Sequence, residues 1–177
     1  IKLTYQVCAY LWNKIYEGII VSQEDLDTIR KLQRTNPVIL CPGHKSHIDY
    51  LIISWLLFHH NMATPHIASG INLSFWPLGP IFRGCGAYFM RRTFKGRQLY
   101  SAAFKTYIKK LIQAGFTQEF FIEGGRSRTG KVLSPKFGIL GMELEAFCLD
   151  PKRDIYLIPM SVGYEKIIEE KAYVKEL

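Results

Sequence analysis

The sequence has no apolar run long enough to cross a bilayer. A transmembrane helix needs about 20 consecutive apolar residues, whereas the longest run here covers residues 50–58, with Ser54 as its polar interruption. That run is typical of a buried helix. The chain also lacks an internal repeat and a low-complexity linker. Its 177 residues, about half of them apolar, are enough for one domain or a large part of one.

Cysteines are few and widely separated. The four of them, Cys8, Cys41, Cys85 and Cys148, form no C-x-x-C pair. The chain therefore has neither the spacing of a zinc ribbon nor the density of a disulfide scaffold. Three of the cysteines have apolar neighbours, which is usual for buried reduced thiols. This usage favours a cytosolic compartment.

Two common catalytic signatures are also missing. There is no G-x-S-x-G, the motif that often carries the activated serine of a covalent hydrolase. The stretch from Gly125 to Lys131 is nearly a phosphate-binding loop, but Val132 stands where Ser or Thr would hold magnesium, and Pro135 interrupts the helix that should follow. These absences disfavour a covalent hydrolase and a nucleotide hydrolase.

Basic residues outnumber acidic ones and give a formal net charge of +8, but no block of like charges forms a tail. The excess gathers within residues 83–97 and 126–136. No nucleic-acid-binding motif accompanies it, so we expect no nucleic-acid partner. A small phosphate, an acidic carrier protein and an anionic membrane surface explain the bias equally well.

Strand-like and helix-like stretches alternate along the chain. Apolar spacing predicts helices at 1–20, 22–34, 51–59, 97–114 and 137–149, and strands at 38–41, 64–69, 87–90, 117–122 and 156–162. Residues 70–86, rich in Gly, Pro and aromatics, are predicted to be irregular. The alternation predicts an α/β fold with a largely parallel or mixed sheet flanked by helices. Ligands of such sheets gather beyond the carboxyl ends of the strands.

The chain is predicted to have two parts. Residues 1–36 form an amphipathic helical lead-in, whose apolar face packs on the core or on a membrane, and residues 37–177 form a catalytic domain. Because the chain begins at Ile1 without an initiator methionine, we expect it to be an excerpt of a longer protein.

Residues 43–50 hold a titratable cluster between a predicted strand and a predicted helix. His44 lies on the connecting loop, and Asp49 falls in the first turn of the helix, close enough to accept the imidazole N–H. This pairing is typical of a general base with an orienting carboxylate. Since no protein nucleophile is evident, the proton that such a base removes should belong to a substrate hydroxyl.

Two other interpretations of this cluster stay open. His44 and His47 would be ordinary loop histidines if Asp49 were simply a residue favoured at a helix start. A divalent metal would accept His44, His47 and Asp49 as ligands, but a site needs more of them, and the other histidines show no matching spacing. We therefore expect no metal.

The loop after the fourth predicted strand carries the densest polar motif. It combines a carboxylate, two glycines that let the backbone approach a ligand, and two guanidiniums suited to bidentate phosphate binding. These residues are Glu123, Gly124, Gly125, Arg126, Ser127 and Arg128. The pair Arg91-Arg92 also follows a predicted strand, so we expect both groups at one edge of the sheet.

Four ordered blocks resemble those of the glycerolipid acyltransferase superfamily. They are His44-x4-Asp49, Gly86-x2-Phe89-x2-Arg92, Phe121-x-Glu123-Gly124-Gly125-Arg126-Ser127-Arg128, and Ile158-Pro159 ahead of Gly163-Tyr164-Glu165. Residues 70–77, 91–96 and 124–130 are similar in particular to the membrane-associated bacterial enzymes that acylate glycerol 3-phosphate. The likeness runs from about residue 37 to the end.

The resemblance implies a reaction and its partners. His44 and Asp49 would activate the sn-1 hydroxyl of glycerol 3-phosphate for attack on a fatty acyl thioester of coenzyme A or acyl-carrier protein, giving 1-acylglycerol 3-phosphate. No metal or nucleotide cofactor is implied. The implied location is the cytoplasmic face of the bacterial inner membrane. The matched glycerol-phosphate-binding positions are Phe89, Arg92, Glu123, Gly124, Arg126 and Ser127, with Arg91 and Arg128 beside them, and Pro159 would lie near the acyl chain or substrate.

Three alternatives to this function remain. Another member of the superfamily would acylate dihydroxyacetone phosphate or lysophosphatidate instead. A non-catalytic module for anionic lipid would keep the fold without the activity. A metallohydrolase would use the spacing of His44, His47 and Asp49.

Overall fold

The computed structural model describes residues 2–16, 18–46, 48–149, 151 and 153–164, which form an α/β fold. Five strands make one sheet, and every neighbouring pair in it is parallel. The strands are β1 (Val38–Pro42), β2 (His66–Gly70), β3 (Ala87–Met90), β4 (Gln118–Glu119) and β5 (Tyr156–Met160). The predicted fold class is confirmed, with a fully parallel sheet in the described part of the chain.

Helices precede the sheet and connect its strands. They are α1 (Lys2–Ile15), α2 (Gln23–Gln33), α3 (Asp49–His59), α4 (Leu78–Gly84), α5 (Gln98–Gln113), α6 (Gly138–Leu149) and a 3-10 helix (Ile71–Leu73). Ser22 caps α2, because its Oγ accepts a hydrogen bond from the Asp25 N–H at 3.3 Å. Among the helices described, none has the length and apolar character needed to cross a membrane.

The strand order is β3-β2-β4-β1-β5. From β1 the chain proceeds through β2 to one edge of the sheet, and from β4 it proceeds to β5 at the other edge. Right-handed crossovers then place the connecting helices on opposite faces, with α3 beside α1 and α2 on one face and α5 beside α6 on the other. The chain winds toward one side of the sheet from β1 and toward the other side from β4. Ligands of open α/β sheets bind at the strand ends where this winding direction reverses.

Strand β1 is buried on both faces. Val38 and Leu40 pack against Ile29 of α2 and Ile53 of α3, while Ile39 points to the opposite face, and all three strand residues are fully buried. An unbroken apolar strand is expected at the centre of a parallel sheet, since helices cover both of its faces.

The first helix packs on the core. Cys8 and Trp12 of α1 are buried against Ile52 of α3. On the opposite face of the sheet, Phe104 and Ile108 of α5 form a second apolar cluster with α6. The division of the chain at residue 36 stays a prediction.

The segment predicted to be irregular contains a short helix, so that part of the prediction was wrong. Pro80 lies in the first turn of α4, where backbone N–H groups have no acceptor within the helix and a proline removes nothing. Gly79 allows the chain to fold tightly, because a Cβ at that position would lie 2.2 Å from the carbonyl oxygen of Ser74.

Strand β4 is shorter than its predicted range of 117–122. Gln118 and Glu119 pair with β1 on one side and β2 on the other. The Phe120 N–H still donates to the Leu40 carbonyl at 3.2 Å, after which the chain turns at residues 122–125. The early end of the strand turns Glu123 back toward β1.

Candidate active site

Asp49 is the first residue of α3 and its side chain is fully buried. Its Oδ2 accepts three hydrogen bonds, from His44 Nδ1 at 2.8 Å, the Lys45 N–H at 2.8 Å and the Ser46 N–H at 3.0 Å. Its Oδ1 accepts a short hydrogen bond from the Tyr164 hydroxyl. Four donors therefore surround a carboxylate that has no access to water.

These donors decide the charge of Asp49. Burial acts to raise the pKa of the carboxyl, but the hydrogen bonds from His44, Tyr164, Ser46 and Lys45 outweigh it, and the net pKa lies below the ordinary value. Asp49 is therefore an anion at neutral pH. Because an ionised carboxylate only accepts hydrogen bonds, the shared proton belongs to Nδ1 of the imidazole.

His44 lies on the loop after β1 with its ring against Phe121. The ring centroids are 4.0 Å apart and the planes differ by 26°, and the His44 side chain is 14% exposed. With Nδ1 bonded to Asp49, Nε2 is the nitrogen that can accept a proton, and it has no hydrogen-bond partner among the described residues. The imidazole is thus fixed in one tautomer with its basic nitrogen available.

The loop after β4 is bonded to the His44 loop. Glu123 is 5% exposed and accepts from the His44 N–H at 2.9 Å through Oε1 and from the Leu133 N–H at 2.8 Å through Oε2. The Ser127 N–H donates to the His44 carbonyl at 2.7 Å, and the buried Ser127 hydroxyl donates to the Lys131 carbonyl in a short bond. The loop that carries Glu123 and Ser127 therefore fixes the backbone of the loop that carries His44.

Glycines shape this loop. Gly124 has a φ of +61°, a left-handed conformation that costs a residue with a Cβ about 1–2 kcal/mol. Its N–H donates to the Phe121 carbonyl at 2.9 Å, and the Gly43 N–H donates to the Met160 carbonyl at 3.0 Å. In contrast, the Gly125 N–H has no acceptor within the described residues, and the space around its Cα is open.

Arg91 and Arg92 follow β3. They therefore lie at the same carboxyl end of the sheet as the loops after β1 and β4, two strands away from β4. The Arg91 guanidinium lies over the Tyr100 ring, and its carbon is 5.8 Å from the ring centroid. The backbone N–H of Arg91 donates to the Tyr100 hydroxyl at 3.1 Å. Arg92 is exposed and makes no hydrogen bond or ion pair within the described residues. The Phe89 ring is half-buried under the Arg83 guanidinium, at 5.5 Å.

The remaining predicted residues also lie at this edge. Arg126 is half-buried and Arg128 is exposed in the loop after β4. Pro159 is exposed on β5, where its register partner is Cys41 of β1. An edge strand tolerates proline, which cannot donate to a ladder. The structure brings together His44, Asp49, Glu123 and Ser127 by direct contacts, and the substrate-binding roles stay predictions.

An apolar cavity lies beside the His44 site, between α1, α3, α4 and the β2–β3 side of the sheet. Its empty space is about 600 Å³, a figure that includes the part open to solvent. Tyr50 lines it and contacts Phe121, the residue stacked on His44, at 6.4 Å between ring centroids. Other lining side chains are Tyr5, Cys8, Leu51, Trp55, Phe58 and Phe82.

Three residues at the candidate site had no role predicted from the sequence. Tyr164 and Phe121 lie inside the matched blocks but had no assigned role. Glu119 on β4 is fully buried without a hydrogen-bond partner among the described residues. Burial and then the Asp49 charge raise its pKa well above the ordinary value. Its signal was a polar pair, Gln118-Glu119, inside a predicted central strand.

The metal hypothesis gains no support from this geometry. His47 lies outside the described residues. Among the residues that are described, no group of three or more His, Cys, Asp or Glu side chains could hold a metal ion. Asp49 Oδ2 and His44 Nδ1 are occupied by each other.

We predict that Asp49→Asn lowers stability in a pH-dependent way. At neutral pH the free energy of unfolding should fall by about 1–3 kcal/mol, the range for hydrogen bonds to a buried charged group. Because the folded pKa of Asp49 lies below its ordinary value, the ionised carboxylate stabilises the fold above about pH 4, and that contribution is lost as the pH falls through the folded pKa. Unfolding midpoints from pH 7 down to pH 3 measure it.

The control for this series is Asp154→Asn, at an exposed position, which should change the midpoints little. The gap between the parent protein and Asp49→Asn should narrow toward low pH. A gap that stays constant or widens there contradicts the ionised, hydrogen-bonded Asp49.

Comparison with known proteins gives a family for the chain. The sequence profile of the family described as Acyltransferase matches residues 24–163, which include His44, Asp49, Glu123 and Ser127. Glycerol-3-phosphate acyltransferase of Haemophilus ducreyi is 47% identical over 178 residues, covering 100% of this chain and 22% of the relative. The protein of the same name from Actinobacillus succinogenes gives the same identity and coverage.

This chain thus spans about a fifth of the length of the curated relatives it matches. The family profile covers most of the chain, and the relatives align over all of it. The chain therefore belongs to the glycerolipid acyltransferase superfamily.

Proposed function

We propose that this chain catalyses transfer of a fatty acyl group from the thioester of coenzyme A or acyl-carrier protein to the sn-1 hydroxyl of glycerol 3-phosphate. The observation that carries the proposal is the 2.8 Å contact between His44 Nδ1 and the buried Asp49 carboxylate, beside an apolar cavity. The name of the two relatives, glycerol-3-phosphate acyltransferase, supports the choice of acceptor.

The proposed reaction is a single direct transfer. His44 Nε2 takes the proton of the sn-1 hydroxyl as its oxygen forms a bond to the thioester carbonyl carbon. The tetrahedral intermediate collapses by breaking the carbon–sulfur bond, and the imidazolium returns the proton to the departing thiolate. Asp49 keeps its negative charge throughout and stabilises the imidazolium, as the carboxylate does in other His–Asp pairs.

The backbone hydrogen bonds of these loops limit which N–H groups could donate to the oxyanion of this intermediate. The N–H groups of Gly43 and Gly124 already donate to carbonyls. The Gly125 N–H, which has open space around its Cα and no acceptor among the described residues, is the remaining candidate of the three glycines. A preorganised donor at such a position is typical of acyl transfer.

The proposed phosphate site uses Arg92. Its guanidinium is exposed, without a partner in the part of the chain described here, and follows a strand that ends at the same edge as β1. Arg91 or Arg126 would assist it. Glu123 is proposed to contact the free glycerol hydroxyl with its remaining lone pairs, because its two oxygens each accept one backbone N–H.

The apolar cavity is the proposed site for the acyl chain. Its lining is dominated by aromatic and aliphatic side chains, and it is linked to His44 through Tyr50 and Phe121. An acyl chain there would place the thioester close to the imidazole. Apolar burial is worth about 0.8 kcal/mol per methylene group, so each methylene group that enters the cavity would strengthen binding of the acyl donor.

We also propose that the protein works at the cytoplasmic face of the bacterial inner membrane. Apolar side chains are exposed from the 3-10 helix into α4, and α4 borders the cavity through Phe82. Their exposures are 48% for Ile71, 54% for Phe75, 83% for Trp76 and 45% for Ile81, and the basic Arg83 is exposed beside them. An aromatic and basic surface of this kind suits an anionic lipid interface.

The direct test of the reaction is thiol release from palmitoyl-CoA with and without glycerol 3-phosphate. We predict release that depends on the acceptor, and His44→Ala should lower kcat about 10²-fold or more because it removes the general base. His60→Ala, at the end of α3, is the matched control and should retain activity.

Other outcomes of this assay identify the alternatives. Faster release with dihydroxyacetone phosphate or lysophosphatidate would change the acceptor. No release with any acceptor, together with vesicle binding unaffected by His44→Ala, would point to a lipid-binding module. A near-normal kcat in His44→Ala would end the base mechanism.

We predict that Arg92→Lys raises KM for glycerol 3-phosphate about 10-fold, because a point charge replaces a bidentate fork and one charged hydrogen bond is worth about 1.5–3 kcal/mol. KM for the acyl donor should change much less. Arg34→Lys, at the C-cap of α2, should change neither constant. Equal rises for both substrates in Arg92→Lys would count against a phosphate-binding role.

We predict that Trp76→Ala weakens binding to phosphatidylglycerol vesicles about 10-fold, since it removes the most exposed aromatic side chain of the proposed lipid surface. Sedimentation with vesicles measures this. The matched control is Leu99→Ala on α5, where the side chain is 85% exposed and should not contact lipid. Equal binding by all three proteins would refute the proposed surface.

A further inference from the structure

The two oxygens of Asp49 are held in different ways. Oδ2 accepts from His44, Lys45 and Ser46, and two of those donors are backbone N–H groups of the same loop. Oδ1 accepts from the Tyr164 hydroxyl alone among the described residues. The rotation of the Asp49 carboxylate group therefore depends on the Tyr164 hydroxyl, a donor from the loop after β5.

Tyr164 is itself held in place by the segment that precedes it. The Gly43 N–H donates to the Met160 carbonyl at 3.0 Å, and Lys45 Nζ donates to the Val162 carbonyl at 3.1 Å. These bonds join residues 160–164 to the loop that carries His44. The loop after β5 thus approaches the loop after β1 from the neighbouring strand.

The ring of Tyr164 also packs on the amino-terminal helix. Its centroid lies 6.0 Å from that of Tyr16, which in turn contacts Trp12 of α1 at 6.4 Å. Val162 and Tyr164 pack on the apolar cluster that includes Ile52 of α3. The hydroxyl therefore projects from a ring fixed by packing, which is the arrangement that holds a hydrogen-bond donor in one direction.

We propose that Tyr164 is a positioning residue for the His44–Asp49 pair, holding the carboxylate so that Oδ2 faces the imidazole Nδ1. The proposal rests on the proposed function, since positioning matters to a base that works through Asp49. Its contribution is expected in kcat, because an aligned base acts in the transition state and not in substrate binding.

Loss of the hydroxyl should have two effects. Oδ1 becomes a buried acceptor with no donor, which costs free energy and allows the carboxylate to rotate away from the imidazole. The Tyr164 hydrogen bond also lowers the pKa of Asp49, so its removal should raise the pKa of that carboxyl. A purely structural loss would lower stability and leave the hydrogen bond between His44 and Asp49 as it is.

The test is Tyr164→Phe in the complete enzyme, which keeps the packed ring and removes the hydroxyl. We expect kcat to fall about 10-fold and KM for acyl donor and acceptor to stay within about twofold. Tyr88→Phe is the control, because its hydroxyl is also buried but has no hydrogen-bond partner among the described residues. It should leave kcat unchanged.

A second readout does not depend on turnover. The NMR signal of the His44 Nδ1–H proton reports its hydrogen bond to Asp49, and we expect Tyr164→Phe, but not Tyr88→Phe, to shift or broaden it. If the parent enzyme transfers acyl groups and Tyr164→Phe changes neither kcat nor this signal, the positioning role is wrong. If the signal changes but no protein transfers acyl groups, the positioning holds and the proposed function fails.

Discussion

The buried carboxylate of Asp49 is the interaction on which the candidate site depends. A charge without access to water is tolerated only when hydrogen bonds replace its hydration. Here, donors from the His44 loop and from Tyr164 supply them. The same bonds fix the imidazole tautomer and place the helix α3 directly behind it. Stability and alignment of the base therefore arise from one set of contacts.

Loops from three neighbouring strands, β4, β1 and β5, are joined around this carboxylate. On the β4 side, Glu123 accepts the His44 N–H. On the β5 side, the Met160 carbonyl accepts the Gly43 N–H, and the Val162 carbonyl accepts from Lys45 Nζ. Such cross-bonding keeps loops at the end of a sheet in one conformation. Aligned groups of this kind lower a barrier without reorganising during the reaction. The apolar cavity lies next to this polar edge, an arrangement that suits the proposed transfer of a fatty acyl group to glycerol 3-phosphate.

Much of the fold was predictable because its signals are local. The apolar stretch at residues 38–41 and the helical spacing at 97–114 correspond to β1 and α5, and the alternation predicted an α/β fold with a largely parallel or mixed sheet. The α4 helix was missed because the Gly and Pro content of residues 70–86 predicted an irregular segment, whereas Pro80 lies in the first turn of the helix, where proline is tolerated. The length of β4 was overestimated, since a turn at residues 122–125 ends the pairing.

The candidate site was predictable only in part. The His44–Asp49 spacing suggested their contact, because five residues can bring a loop side chain to a helix start. The hydrogen bond of Tyr164 to Asp49 joins residues 115 positions apart, and no local pattern predicts such a contact. Likewise, the motif around Glu123 predicted a substrate-binding residue. The hydrogen bonds that its carboxylate accepts from the His44 and Leu133 N–H groups depend on tertiary packing and were not predicted.

The proposed reaction requires the carboxyl end of the sheet to hold glycerol 3-phosphate with its sn-1 hydroxyl against the base. The most direct measurement is a structure of the complete protein with glycerol 3-phosphate bound. We predict the phosphate on the Arg92 guanidinium and the sn-1 hydroxyl oxygen about 2.6–3.2 Å from His44 Nε2, the hydrogen-bond distance that a general base needs. A bound glycerol phosphate whose hydroxyls all lie beyond reach of His44 would contradict it.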